Sequence, residues 1–239
     1  MKVSLEKLSK SSSILGAGYL AYAILPVVGE IYFEYTYDGF LLGNKTVSEV
    51  LFSFVVFNIL FVLGLVVLAS TLFFFLMYTE RILSVFRWRT SKTTLSILRL
   101  FFLVITVATS IAIIVLLPRN IEALGRTLLE GSSGTEGDLG LMLLDFLIGL
   151  DTLSFGAISF IISVIMLEFH NRIGFFKVSR VAYQLYFVAS IVYIIELIKP
   201  VFLSVLLYPL SCLLIRRRLH RLASVLGEEN SFLSPIYFN

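Results

Sequence analysis

Few side chains in this sequence could do chemistry, and most of those few stand where a charge is expensive. Asp145 and Asp151 lie in an apolar run from Leu141 to Leu167, Asn58 lies in a run from Leu51 to Tyr78, and Glu30 and Glu34 end a run that opens at Ser13. A carboxyl group inside a hydrocarbon core must be protonated, or find a partner in protein or water, because an isolated carboxylate there loses its hydration. Acids so placed serve two ends. They pass protons or cations across a membrane, or they tie helices together.

Asp151 is the sharpest candidate. As part of a helix it falls about 15 Å below the outer end of its run, near the middle of a bilayer. No basic residue stands at that depth, and Asn58, about 10 Å below the same surface, is the neutral partner the spacing offers. Asp145, Gly149, Thr152, Gly156, Ser159 and Ser163 fall within an arc of about 80°, and Asp151 points about 120° away from it. The arc is a small, polar stripe. It reads either as close helix packing or as a wet path with Asp145 at its outer mouth. Glu30, Glu34 and Glu196 add negative charge to the outer half, which attracts cations. Glu196 also stands three residues before Lys199, the spacing of an ordinary helical ion pair.

Several chemistries are excluded. A membrane haem needs axial ligands such as histidine inside the bilayer, and both histidines, His170 and His220, are expected in the cytoplasm. No HExxH cluster, GxSxG elbow, Walker loop or dinucleotide fingerprint occurs. An intramembrane aspartyl protease needs two facing carboxylic acids. Ile148-Gly149-Leu150-Asp151 lacks the glycine that such proteases carry beside the aspartate, and the second acid on offer, Asp38, stands outside the bilayer. Cys212 is the single cysteine, so it forms no internal disulfide and belongs to no metal-ligand spacing. The sequence therefore calls for no cofactor, no metal and no catalytic residue.

These residues must be positioned by membrane helices. Of 239 residues, 58% are hydrophobic and only 15% charged, against about 25% charged in a soluble domain. The apolar residues come in long runs, and a run of about 18 or more is long enough to cross a core of about 30 Å as a helix. The fold class is all-α: a polytopic transmembrane bundle of about six spans, at residues 13–35, 51–78, 95–117, 141–167, 181–198 and 201–215. Residues 1–221 form one membrane domain and 222–239 a short cytoplasmic tail. Pro26 is expected to kink the first span and Pro118 to end the third. Ile121, Leu124 and Leu128 suggest a short helix lying on the outer surface. The last two spans are short, and a re-entrant hairpin is the alternative.

Charge sets the orientation. With both termini inside, Lys2, Lys7, Lys10, Arg81, Arg87, Arg89, Lys92, Arg99, Arg172, Lys177, Arg180, Arg216, Arg217, Arg218 and Arg221 are cytoplasmic, 15 of the 19 basic residues. Lys45, Arg119, Arg126 and Lys199 remain outside. Arg81, Arg87, Arg89 and Lys92 form one basic cluster, and Arg216, Arg217 and Arg218 another; both are candidate contacts for anionic lipid headgroups. The net charge of +3 is spread around the hydrophobic runs, a pattern that excludes nucleic acid as a partner. The partners implied are the bilayer and, beyond it, further copies of the chain or other membrane subunits.

The entry from Leu5 to Glu30 and the stretch from Ile173 through Arg218, where Phe176-Lys177-Val178 leads into a short helical pair, resemble uncharacterised multi-span membrane proteins of archaea. The resemblance covers about a third of the chain and implies no activity. The residues lead to a non-enzymatic component of the cell membrane, a structural or accessory subunit or a small transport element. The alternative is a proton- or cation-coupled transporter or channel working through Asp151, Asp145, Asn58 and Glu30. A membrane-embedded enzyme stands third.

Overall fold

The computed structural model describes residues 2–86, 89–130, 139–172, 179–196 and 203–232, and the side chains of these except at 2, 89–92, 130, 139–145, 172 and 226–232. Six helices follow one another: α1 (Lys2–Leu41), α2 (Val47–Val85), α3 (Arg89–Glu130), α4 (Leu139–Arg172), α5 (Arg180–Glu196) and α6 (Ser204–Phe232). No strand occurs among the described residues.

The first four helices run for 40, 39, 42 and 34 residues. At 1.5 Å per residue each is about 50 Å or longer, well beyond the hydrocarbon thickness. All four are long and apolar enough to cross a membrane, which is compatible with a multi-pass membrane protein. The last two helices are a different matter. α5 has 17 residues, about 26 Å, and the apolar part of α6 ends at Ile215, before Arg216. Six helices form where six spans were expected, and among the described residues four of them have the length and composition of a span.

Two expectations about boundaries give way. α3 does not end at Pro118 but carries it inside and continues to Glu130. Ile121, Leu124 and Leu128 therefore belong to α3 and not to a separate surface helix. α6 extends to Phe232, into the stretch expected as a short cytoplasmic tail. Pro26 lies inside α1. The turn from α1 to α2 shows why a helix starts at Val47. Gly43 takes φ 73°, a conformation that glycine reaches without strain. The Thr46 amide then donates to the Glu49 carboxylate at 2.8 Å, while the Glu49 amide donates back to the Thr46 hydroxyl at 3.4 Å. This reciprocal pair is a capping box.

The chain divides into two compact units. The first comprises Met1–Tyr19, Ser70–Phe101 and Leu153–Asn239; the second comprises Leu20–Ala69 and Phe102–Thr152. In the first unit α5 and α6 form a hairpin against the start of α1 and the end of α4. The Tyr208 ring lies 4.7 Å from Tyr19, 5.3 Å from Phe155 and 5.3 Å from Tyr186, centroid to centroid, in tilted and edge-on arrangements. Such geometries let the positive edge of one ring meet the negative face of the next. The hairpin is closed by Glu196, whose carboxylate accepts the Ser204 amide at 3.0 Å, at the electropositive N-terminus of α6.

The second unit is built from closer backbone approaches. A Cβ added at Gly29 would stand 2.8 Å from the Phe57 Cα, so only glycine lets α1 and α2 meet there. Thr36 and Ser53 share a hydrogen bond of 2.5 Å between the same helices. Leu65 and Ile113 centre a small apolar cluster with Tyr22, Phe61, Leu116 and Ile148.

Candidate functional site

α3 and α4 position Asp151 in the second unit. Its side chain is buried, and its Oδ1 accepts a hydrogen bond from the Thr106 hydroxyl at 2.7 Å. Three residues further along α3, one turn away, Thr109 donates to the Leu147 carbonyl of α4 at 3.3 Å. Two threonines of one helix thus tie it to the next, one through a carboxylate and one through the backbone. Asn58, the neutral partner expected for Asp151, instead donates to the Phe54 carbonyl of its own helix at 2.8 Å. A threonine hydroxyl takes the place foreseen for that amide.

Glu30, another member of the expected path, does not join Asp151. Glu30 is exposed, beside the exposed Val27, Val28 and Ile31 of α1. The side chain of Asp145 lies outside the described residues. Among the described residues no three His, Cys, Asp or Glu side chains come together as metal ligands would. Arg99 is held within the first unit, 3.3 Å from Glu80 and with its guanidinium 4.9 Å above the Phe73 ring.

The small-residue stripe of α4 has two different ends. Gly149 faces open space, since an added Cβ would meet nothing within 4 Å. Thr152 is half-buried and donates to the Ile148 carbonyl of its own helix at 2.7 Å. Gly156 is buried against α5, where an added Cβ would lie 2.9 Å from Ile194 and 3.0 Å from Tyr193. Ser159 accepts from the Tyr186 hydroxyl at 3.3 Å, and Ser163 donates to the Ser159 carbonyl at 2.7 Å. In the first unit, then, the stripe is a packing surface for α5.

Two residues gained a place that sequence reasoning had not given them. His170, expected on the cytoplasmic side, is fully buried near the end of α4. Its Nδ1 donates to the Met166 carbonyl, its Nε2 shares a 2.5 Å hydrogen bond with Ser179, and its ring lies 4.8 Å from that of Tyr183. It thereby joins the end of α4 to the start of α5. Glu196 is the second: it caps α6, as described, while its expected partner Lys199 lies outside the described residues.

The basic clusters also part. Arg81 is exposed and lies over the ring of Tyr78, 5.5 Å from its centroid, on its own helix. Arg87 and the side chains of Arg89 and Lys92 lie outside the described residues. In the second cluster, Arg216 and Arg217 line a groove of about 740 Å³ together with Lys10, His220 and Arg221, and Glu6 is the acid on its wall. Arg218, half-buried, is not among its lining residues. The sequence separates Lys10 from Arg216 by most of the chain, so no local pattern could have paired them. No protein-family model, no curated protein and no solved structure matches this chain.

Proposed function

We propose that this chain is a non-enzymatic, multi-pass component of the cell membrane, with both ends in the cytoplasm, serving as a structural or accessory subunit. The orientation follows from the excess of basic residues on one side of the bilayer. The observation that supports the structural role is the Thr106–Asp151 hydrogen bond. The intramembrane acid is spent on a neutral hydroxyl of the neighbouring helix, Glu30 faces outward, and Asn58 is bound within its own helix. An acid that ties two helices need not change its protonation state; an acid that carries a proton must.

Asp151→Asn separates the two roles, because an amide keeps hydrogen-bonding groups in similar space and cannot take up and release a proton. Wild type and variant are reconstituted in liposomes that enclose a pH-sensitive dye, and a proton gradient is imposed. The expected result is the same dye response from both and from empty liposomes, with closely similar thermal unfolding midpoints. Proton flux through the wild type that Asp151→Asn abolishes would overturn the reading in favour of a coupled transporter.

A further inference from the structure

We propose that the groove between α1 and α6 is a binding site for the headgroup phosphate of an anionic phospholipid. Its walls are two helical faces of matching spacing. Glu6, Ser9 and Lys10 stand three and four residues apart on α1, and Arg217, His220 and Arg221 do the same on α6, with Arg216 beside them. Lys10, Arg216, Arg217 and Arg221 supply positive charge against the single acid, Glu6. Like charges gathered on two facing helices repel one another, and an anion between them relieves that repulsion.

The walls are fixed close to one another. The Ser9 hydroxyl donates to the Arg216 carbonyl at 2.9 Å, and the Ser12 hydroxyl donates to the Cys212 carbonyl at 3.3 Å. One turn further along α1, a Cβ added at Gly16 would stand 3.0 Å from Cys212, so the helices stay in contact there. Arg216 donates from Nη1 to the Ser13 hydroxyl at 3.0 Å. That bond uses one of the five N–H groups of a guanidinium and orients the side chain. Guanidinium groups match phosphate oxygens in pairs, and they lose less hydration than an ammonium on doing so. The volume of about 740 Å³ falls within the usual range of small-molecule sites, roughly 300–1,000 Å³.

The surroundings favour a lipid over a free anion. Leu213 lines the groove and is 52% exposed, and the exposed Leu210 and Leu206 continue from it along α6. The basic groove therefore opens onto an apolar strip of α6, an arrangement that fits a molecule with an anionic head and hydrocarbon tails. Inorganic phosphate would use the head end alone. The inference does not depend on the role assigned to Asp151.

The test uses the full chain in a neutral detergent, titrated with short-chain phosphatidylglycerol, phosphatidylcholine or inorganic phosphate, with binding read by thermophoresis. Phosphatidylglycerol is expected to bind saturably, about tenfold or more tightly than phosphatidylcholine, and more weakly as salt rises. Arg217→Gln combined with Arg221→Gln should weaken that binding by about tenfold or more, since two near-surface cations are removed. Lys10→Gln, on the other wall, should weaken it severalfold. Arg180→Gln, at an exposed basic residue of α5, should leave it unchanged. Circular dichroism checks that each variant is folded, and Lys10→Gln stands in if the double variant is not. Equal binding of the two lipids overturns the proposal. So does an equal loss in Arg180→Gln, which would mean charge spread over the surface and no site. Displacement of the lipid by an equal concentration of inorganic phosphate would show that the tails contribute nothing, and would overturn the assignment to a lipid.

Discussion

The two units of the molecule hold their helices together by different means. In the first unit large rings fill the space: Tyr19, Phe155, Tyr186 and Tyr208 interlock, and Gly156 provides the notch into which Tyr193 and Ile194 fit. In the second unit small residues bring backbones together, at Gly29 against Phe57, and single polar bonds such as Thr106–Asp151 join the helices. Ring packing buries large apolar areas and is sensitive to added volume. Polar ties contribute less each, but leave an expensive group behind when one partner is removed. Each kind of contact can therefore be broken by a substitution that the other would tolerate.

The largest effect is expected at Gly156. Leucine there places its first carbon within 3.0 Å of Tyr193 and Ile194, and overpacking of that kind costs about 1–3 kcal/mol or more. Gly149→Leu, on the same stripe of α4 but facing open space, should shift the thermal midpoint in detergent far less. Similar losses from both substitutions would mean that the whole stripe packs alike, and the contrast between the units would fail on α4.

The next effect belongs to the second unit. Thr106→Val keeps the shape of the side chain and removes the donor to Asp151, leaving a buried carboxyl without its hydroxyl partner at a cost of about 1–3 kcal/mol. Asp151→Asn should cost less, since the amide still accepts from Thr106. Chemical or thermal unfolding of the two variants side by side gives the order. If Thr106→Val proves neutral, the bond is not a tie and the second unit rests on packing too.

A smaller pair of effects tests whether the rings or their hydroxyls matter in the first unit. The Tyr208 hydroxyl donates to Ser190 at 3.2 Å, whereas that of Tyr183 is buried with no hydrogen-bond partner among the described residues. Tyr208→Phe should lose about 0.5–1.5 kcal/mol, and Tyr183→Phe should be neutral or slightly stabilising. A loss at Tyr183 equal to that at Tyr208 would show that the Tyr183 hydroxyl has a partner in the folded protein.

How far the sequence reaches differs between the same two regions. The four long helices were legible because uninterrupted apolar runs leave few alternatives to a helix in a membrane. The hairpin of α5 and α6 was legible as two short helices, with full spans and a re-entrant hairpin both open. Apolar stretches of 15 to 18 residues have nearly the same hydropathy whether they cross a bilayer or fold against other helices, and length decides only when the ends are known. The stripe on α4 was legible as a face, since helical periodicity fixes direction. It did not reveal that Gly149 and Gly156 meet different surroundings, because that depends on where α5 lies. Asp151 stood out by its cost. Thr106 did not, because a threonine in an apolar run ordinarily bonds its own helix, as Thr79 does to the Phe75 carbonyl. The burial of His170 was not legible for a related reason: whether a residue that ends an apolar run is covered depends on another element, here the start of α5.

The smallest effect is expected at the turn between α1 and α2, and it bounds how much surface charge adds to the second unit. Lys45 donates to Glu49 at 2.9 Å, and this hydrogen bond, with the attraction of the carboxylate, raises the lysine pKa above its ordinary value of 10.5. A raised folded-state value means that the pair's contribution is fully present below about pH 10.5 and is lost as pH rises through the folded-state value. Both side chains are solvent-accessible, so water and salt screen the attraction and little of it reaches the unfolding equilibrium. Lys45→Met should leave the midpoint unchanged within error at neutral pH, and what difference exists should vanish at strongly alkaline pH or in high salt. The capping box, which uses the Thr46 amide and hydroxyl, survives that substitution, so the start of α2 should be intact by circular dichroism. A loss at neutral pH as large as that of Thr106→Val would put the second unit's main polar contribution at its surface, and would remove Asp151 from the centre of the comparison.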